Sequence, residues 1–316
     1  MNKVPIKTEC IICIKITNKK WRIQKDMYTN DGGGRTMFEK VKKKYSYRIL
    51  QIEVSRACNL DCRICMRRNL ESTTGFMSVD KFKEILGTYN FREVALHGWG
   101  EPLLNKDIFR MIEYAKGQGL KTSLTTNATL VGENISNILD SGLDDIAFGY
   151  YDMDILTKGI ANVKDLIIEK RKRGSQLKAY LDITIHRDNT EEIFAVIKKG
   201  HEIGVDAAIL HRLFNIYNVD KGFKNLSKKE EEELFRRIKR IEKELDFKIY
   251  LPKKHTLPCR IVKYTIFVTF DGRATPCCFL PEAYIGEGVA NILRSKEYLS
   301  FLANMKNHEV CSKCVW

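Results

Sequence analysis

The sequence predicts an α/β fold with a mainly parallel sheet, and three observations carry that reading. Six runs rich in β-branched and apolar residues alternate with helical patterns along most of the chain. The helical patterns keep their apolar residues on one face, as Leu234, Phe235, Ile238, Ile241 and Leu245 do. The most unusual stretches stand just after strands one to four, where ligands gather in parallel α/β folds.

Residues 1–45 read as an irregular extension. It holds a glycine break, "TNDGGGRT" (29–36), and a Lys-rich run at 40–44. Strands are expected at 47–55, 92–99, 121–127, 144–151, 177–186 and 205–213. Helices are expected near 78–87, 107–117, 132–141, 159–173, 190–203 and 227–245. Ser78, Asn105, Thr190 and Ser227 stand where caps belong, because their side chains can accept from the free N–H groups of a first turn. Six β-then-α units over 46–250 predict helices outside a sheet that either closes partly as a barrel or stays open and doubly wound. Residues 251–316 read as a small appendage. There "KYTIFVTFDGRATPCCF" suggests a hairpin turning at Asp271 and Gly272, followed by a short helix near 293–306 and "CSKC".

Composition narrows the class. The chain has 316 residues, 44% of them hydrophobic, enough for a sizeable packed core. No run reaches the roughly 18 apolar residues of a membrane span, and no secretion signal stands out, so a cytoplasmic protein with no membrane partner is expected. The formal charge is +14, with basic runs at 40–44 and 170–173. Such runs are mostly solvated surface, with an anionic partner as the alternative and nucleic acid not expected. The ten cysteines sit in tight groups, which suits metal ligation better than long disulfide staples.

The densest group is "SRACNLDCRICMRRN", with Cys58, Cys62 and Cys65 spaced C-x3-C-x2-C after strand one. Three soft thiolates in one loop favour zinc or an iron–sulfur cluster. A closed zinc site needs a fourth ligand, and none lies close in sequence. The spacing and its place resemble the radical S-adenosylmethionine (radical SAM) superfamily. That resemblance implies a partial six-stranded (β/α) barrel and a 4Fe-4S cluster whose unique iron takes the methionine end of SAM. "GWGEP", Gly98, Trp99, Gly100, Glu101 and Pro102, resembles the family's GGEP turn, with Trp99 in place of a glycine. "TTN", Thr125, Thr126 and Asn127, resembles the end of its third strand, near the ribose. Ile64 occupies the slot before the third cysteine, where the family often carries an aromatic against adenine.

Cys259, Gly272, Cys277, Cys311 and Cys314 resemble the auxiliary-cluster region of the SPASM and twitch subfamilies. The chain ends two residues after Cys314, so one auxiliary 4Fe-4S cluster, held by Cys259, Cys277, Cys311 and Cys314, is implied, with zinc as the alternative. Cys278 is then a spare, since neighbours on a strand face opposite ways. Cys10 and Cys13 read as buried thiols or strand residues.

On the substrate side, Tyr150, Tyr151, Asp152, Asp182, His186, His211 and Arg212 lie at or near strand ends. A base and a clamp for a carboxylate or phosphate are sought among them. His97 reads as support for the turn after it. The function implied is reductive cleavage of SAM and hydrogen abstraction from a substrate carbon, with oxidation of a carbohydrate or cyclitol-like alcohol as the outcome. Maturation of a ribosomal peptide is the close alternative, and a non-catalytic electron carrier or redox sensor the distant one. The partners implied are a flavodoxin- or ferredoxin-type electron donor and a small, possibly anionic, substrate or a peptide.

Overall fold

In the computed structural model the described residues are 48–314, without 151–152, 215–221, 254, 258, 260, 284–288 and 293–294. Cys10, Cys13, the run at 40–44, Tyr151 and Asp152 lie outside them.

The main body alternates as the sequence predicts: β1 (Ile49–Ile52), α1 (Val79–Gly87), β2 (Glu93–Leu96), α2 (Ile108–Gly117), β3 (Lys121–Thr126), α3 (Ile135–Asp140), β4 (Asp145–Tyr150), α4 (Met153–Lys172), β5 (Lys178–Ile185), α5 (Glu192–Ile203), β6 (Ala207–Arg212) and α6 (Lys228–Glu244). After it come β7 (Ile249–Tyr250), β8 (Thr265–Val268), β9 (Ala274–Thr275), α7 (Val289–Ile292), α8 (Lys296–Asn304) and α9 (Glu309–Lys313). The sheet runs β7-β6-β5-β4-β3-β2-β1-β8-β9, and every pairing is parallel except β8 with β9.

Side chains alternate across each strand, so each strand splits its residues between two environments. Leu50, Ile52 and Val54, Val94 and Leu96, Leu181 and Ile183, and Ala208 and Leu210 pack under the helices in one large core. The residues between them line the inner face of a partly closed barrel. There Ala147 and Ile209, with Tyr180 and Tyr250 packed against them, make a small apolar cluster of their own. The polar inner residues, Gln51 and Glu53 on β1's line, His97 beyond β2 and Asp182 on β5, are buried as well.

The C-terminal hairpin turns at Asp271 and Gly272 as expected, with Gly272 at φ +91, a conformation that favours glycine. This small C-terminal appendage is joined to the main sheet. β8 pairs in parallel with β1, residue for residue from Ile49↔Thr265 to Ile52↔Val268, and so continues the main sheet.

Two caps hold: Ser78 accepts from Lys81 N–H at 3.2 Å, and Ser227 forms a reciprocal box with Glu230. The other two expected caps act differently. Asn105 Oδ1 accepts from Asp107 N–H at 3.0 Å just ahead of α2, and its amide donates to the carbonyls of Val54 (2.8 Å) and Met77 (2.9 Å), stitching the end of β1 to the approach to α1. Thr190 closes a short 3-10 turn at Arg187–Asn189, leaving Glu191 at the start of α5. The basic run at 170–173 is largely occupied by intramolecular pairs. Lys170 binds Asp206 at 2.7 Å, and Arg173 binds Glu169 (2.7 Å) and Asp140 (3.0 Å). No described helix is long and apolar enough to cross a membrane.

Candidate functional site

The three-cysteine loop leaves the end of β1 and is held by its own arginines. Arg67 donates to the carbonyls of Leu60 (3.1 Å) and Thr73 (2.9 Å). Arg68 grips the Asp61 carboxylate through two nitrogens, at 2.8 and 2.6 Å. Cys65 N–H donates to Cys62 C=O at 3.0 Å, which turns the chain between the second and third cysteines. Burial pushes the Cys58 and Cys65 thiols above their ordinary range. Leu60 N–H (3.4 Å) and the Asn127 amide (3.8 Å) donate to Cys58 Sγ, favouring the thiolate that a metal takes. Ile64 is half-buried on this loop.

The Gly98–Pro102 turn lies against it. Glu101 N–H donates to Ala57 C=O at 2.8 Å. A side chain on Gly100 would place its Cβ 2.5 Å from the carbonyl oxygens of Ser55 and Ala57, and backbone cannot give way there. A Cβ on Gly98 would fall 2.5 Å from Glu53 Cγ. Both glycines are therefore required by close approach.

The Glu101 carboxylate accepts from Leu103 N–H (3.0 Å), Thr126 O–H (2.7 Å) and Asn127 N–H (2.8 Å). Burial pushes this carboxyl up, against the pull of those three donors. Glu101 thus clamps the end of β3 to the turn, and the Thr126 hydroxyl is spent in doing so. Asn127 spans the gap, donating also to Asn59 of the cysteine loop at 2.9 Å. Thr125 is half-buried and occupies the inner-face position beside them. Pro102 opens a short 3-10 turn.

Sequence reasoning missed the group that organises this corner. Glu53, fully buried, takes two hydrogen bonds from Arg56 (2.7 and 3.0 Å), one from Trp99 N–H (3.1 Å) and one from Phe270 N–H (3.4 Å). Arg56 in turn stacks over the Phe270 ring at 5.0 Å. Burial still holds the Glu53 carboxyl above its ordinary range. The only signal was a Glu and an Arg three apart just before the first cysteine.

The substrate-side candidates separate. His211 and Asp182 meet on the inner face, Nε2 to Oδ1 at 2.7 Å. His186 is buried beyond the end of β5, edge-on to Phe223 at 4.8 Å. Arg212, the strand neighbour of His211, points to the helix side. There it binds Glu231 of α6 (NH2 to Oε1, 2.8 Å) and Lys253 C=O (2.7 Å), so the structure does not bring it to the inner face as a clamp. Tyr150 also faces the helices, where its hydroxyl donates to Glu192 at 2.9 Å.

The second cysteine set converges. Cys259, Cys277, Cys311 and Cys314 line one pocket, together with Phe214, Phe279 and His255. Burial, then the proximity of Cys277, Cys314 and Cys259, pushes the Cys311 thiol up to about 12. Cys278 is not part of the lining, and its carbonyl accepts from Trp99 Nε1–H at 2.9 Å. His255 braces the set: Nδ1–H donates to Cys314 C=O at 2.8 Å, and Nε2 stands 3.2 Å from Cys259 Sγ. Among the described residues no three His, Cys, Asp or Glu side chains converge tightly enough to grip a single metal ion. Thiolate-only sets of three and of four supply the soft sulfur ligands that four-iron clusters take.

The pattern described as "Radical SAM superfamily" matches residues 52–221, and the SPASM pattern, "Iron-sulfur cluster-binding domain", matches 259–315. A probable GTP 3',8-cyclase of Methanococcus vannielii is 25% identical over 292 residues, 83% of this chain and 95% of that protein. A tungsten-containing aldehyde ferredoxin oxidoreductase cofactor-modifying protein of Pyrococcus furiosus is 24% identical across 52% of this chain and 51% of its own. Among solved structures, Streptococcus suis SuiB bound to precursor peptide SuiA superposes with a TM-score of 0.69 at 15% identity, covering 92% of this chain and 78% of that one. BtrN in complex with AdoMet and 2-DOIA gives 0.51 at 16% identity, covering 84% and 92%. A Radical SAM match over more than half the sequence, followed by a SPASM match, brings with it SAM, a 4Fe-4S cluster and an auxiliary cluster, and the chain belongs to the radical SAM superfamily.

Proposed function

We propose that this enzyme oxidises a hydroxyl-bearing carbon of a small polar substrate held against the inner face of the barrel. The observation that carries the reading is the Asp182–His211 pair, Nε2 to Oδ1 at 2.7 Å on that face. When bound, SAM and the clusters supply a 5′-deoxyadenosyl radical and a sink for one electron. The chain's residues do the rest. Cys58, Cys62 and Cys65 hold the first cluster and leave its fourth corner for SAM. Gly98 and Gly100 let backbone come close to the methionine end, and Glu101 fixes Thr126 and Asn127 at the ribose end. His211, with the Asp182 carboxylate beside it to offset the charge it gains, takes the hydroxyl proton as the carbon is oxidised. Cys259, Cys277, Cys311 and Cys314 hold the auxiliary cluster, and a flavodoxin- or ferredoxin-type donor primes the system.

A nucleotide is the second reading, favoured by the M. vannielii relative, whose name states a GTP cyclase and which aligns over 95% of its length. A triphosphate calls for Lys and Arg, whereas the described inner-face strand ends offer a carboxylate–histidine pair instead. The test is anaerobic reconstitution with reductant, SAM and a panel of cyclitols, amino sugars, GTP and peptides. Polyols are expected to accelerate 5′-deoxyadenosine release and to yield a ketone. His211→Ala is expected to retain SAM cleavage while losing most of the ketone. Acceleration by GTP or peptides alone would sink the reading.

A further inference from the structure

Trp99 occupies a glycine position of the family turn, and it touches both cysteine sites. Its backbone carbonyl lies 4.0 Å from Cys65 Sγ, and its backbone N–H is fixed by the buried Glu53 at 3.1 Å. Its indole N–H reaches Cys278 C=O at 2.9 Å, one residue from Cys277. Its ring meets Phe279 edge-on at 6.0 Å, and Phe279 stacks on Phe214 at 3.8 Å. Phe279 and Phe214 both line the four-cysteine pocket.

We propose that Trp99 is a positioning residue, a strut that registers the SAM-binding turn against the four-cysteine site, so that filling the second site tightens SAM binding at the first. A glycine here would leave the turn held by Glu53, Ala57 and the end of β3, with no side-chain tie to the four-cysteine site. With the indole, the turn is pinned at both ends, and ordering the loop of Cys277 and Cys278 orders the turn. The inference rests on the reading that the Cys58, Cys62 and Cys65 loop and the turn form the SAM site.

The test is a calorimetric titration of SAM into the reconstituted full chain, with iron content and the EPR change on SAM addition recorded alongside. Trp99→Phe keeps a ring and loses only the indole donor. A fall in SAM affinity of roughly five- to tenfold is expected, the scale of one hydrogen bond or a modest allosteric coupling. Cys311→Ala with Cys314→Ala, which empties the second site, is expected to weaken SAM by a similar factor in the wild-type background and far less in Trp99→Phe. Wild-type affinity in Trp99→Phe, or factors that simply multiply, would overturn the strut. Should Trp99→Phe lose its iron, Phe279→Leu runs the same cycle: non-additive losses support the strut and multiplying ones overturn it. A wild-type chain that holds its clusters yet binds no SAM would overturn the site reading and the strut with it.

Discussion

At the scale of single residues, strand parity decides what each candidate can do. His211 and Arg212 are neighbours on β6, and only one of them can face inward. The inward one meets Asp182, while the other is taken by Glu231 on α6. The three-cysteine loop was legible in the sequence, whereas the sequence offers both neighbours as substrate-side candidates, which strand parity does not allow. The partner of His211 was not legible, because it comes from the adjacent strand and depends on register. The four-cysteine set carries a pH signature. In the metal-free chain, burial and the neighbouring cysteines push the folded Cys311 thiol up to about 12, against an ordinary value of 9.0. Between those values the folded chain keeps a proton that the unfolded chain has released, so folding stability falls as pH rises through that window. Denaturant titrations of the metal-free protein are expected to show the fall, and Cys311→Ala is expected to flatten it. An equal slope in both would contradict the assignment.

At the scale of elements, the corner between β1, the Gly98–Pro102 turn and the hairpin turn depends on one buried carboxylate. Glu53 and Arg56 are both about 1% exposed or less. Removing Arg56 leaves a buried acid without its cation, which typically costs about 3–5 kcal/mol. Arg56→Met is therefore expected to lower unfolding stability on that scale, and Glu53→Gln added to it to recover part of the loss. Burial holds the Glu53 carboxyl above its ordinary value. The folded form thus binds its proton more readily than the unfolded chain does. The loss in Arg56→Met should accordingly shrink as pH falls through the raised folded value and grow as pH rises through it. Urea melts at two pH values check the sign. Helix and strand positions were readable because periodicity is local. This corner was not, since it joins residues 53, 56, 99 and 270, which no local pattern connects.

At the scale of the whole molecule, the sequence suggests a barrel with an appendage, and the sheet shows one continuous order. The change of grammar after residue 252 is real, but pairing partners are invisible to composition. β8 completes the β1 edge over four register pairs. A chain cut after Pro252 would expose that edge, an open row of N–H and C=O groups prone to pairing with other chains. Such a truncation is expected to aggregate on expression, where a detachable appendage would leave a soluble, iron-binding main domain. Size-exclusion chromatography of the two lengths separates those outcomes. The same pairing sets an order of events during synthesis. β1 emerges early and finds β2 some forty residues later, yet its other partner follows only after more than two hundred residues. Long-range pairing of this kind closes slowly. The strand that launches the three-cysteine loop therefore stays half-framed until the hairpin leaves the ribosome, and the site for the radical chemistry is framed long after its own cysteines are made.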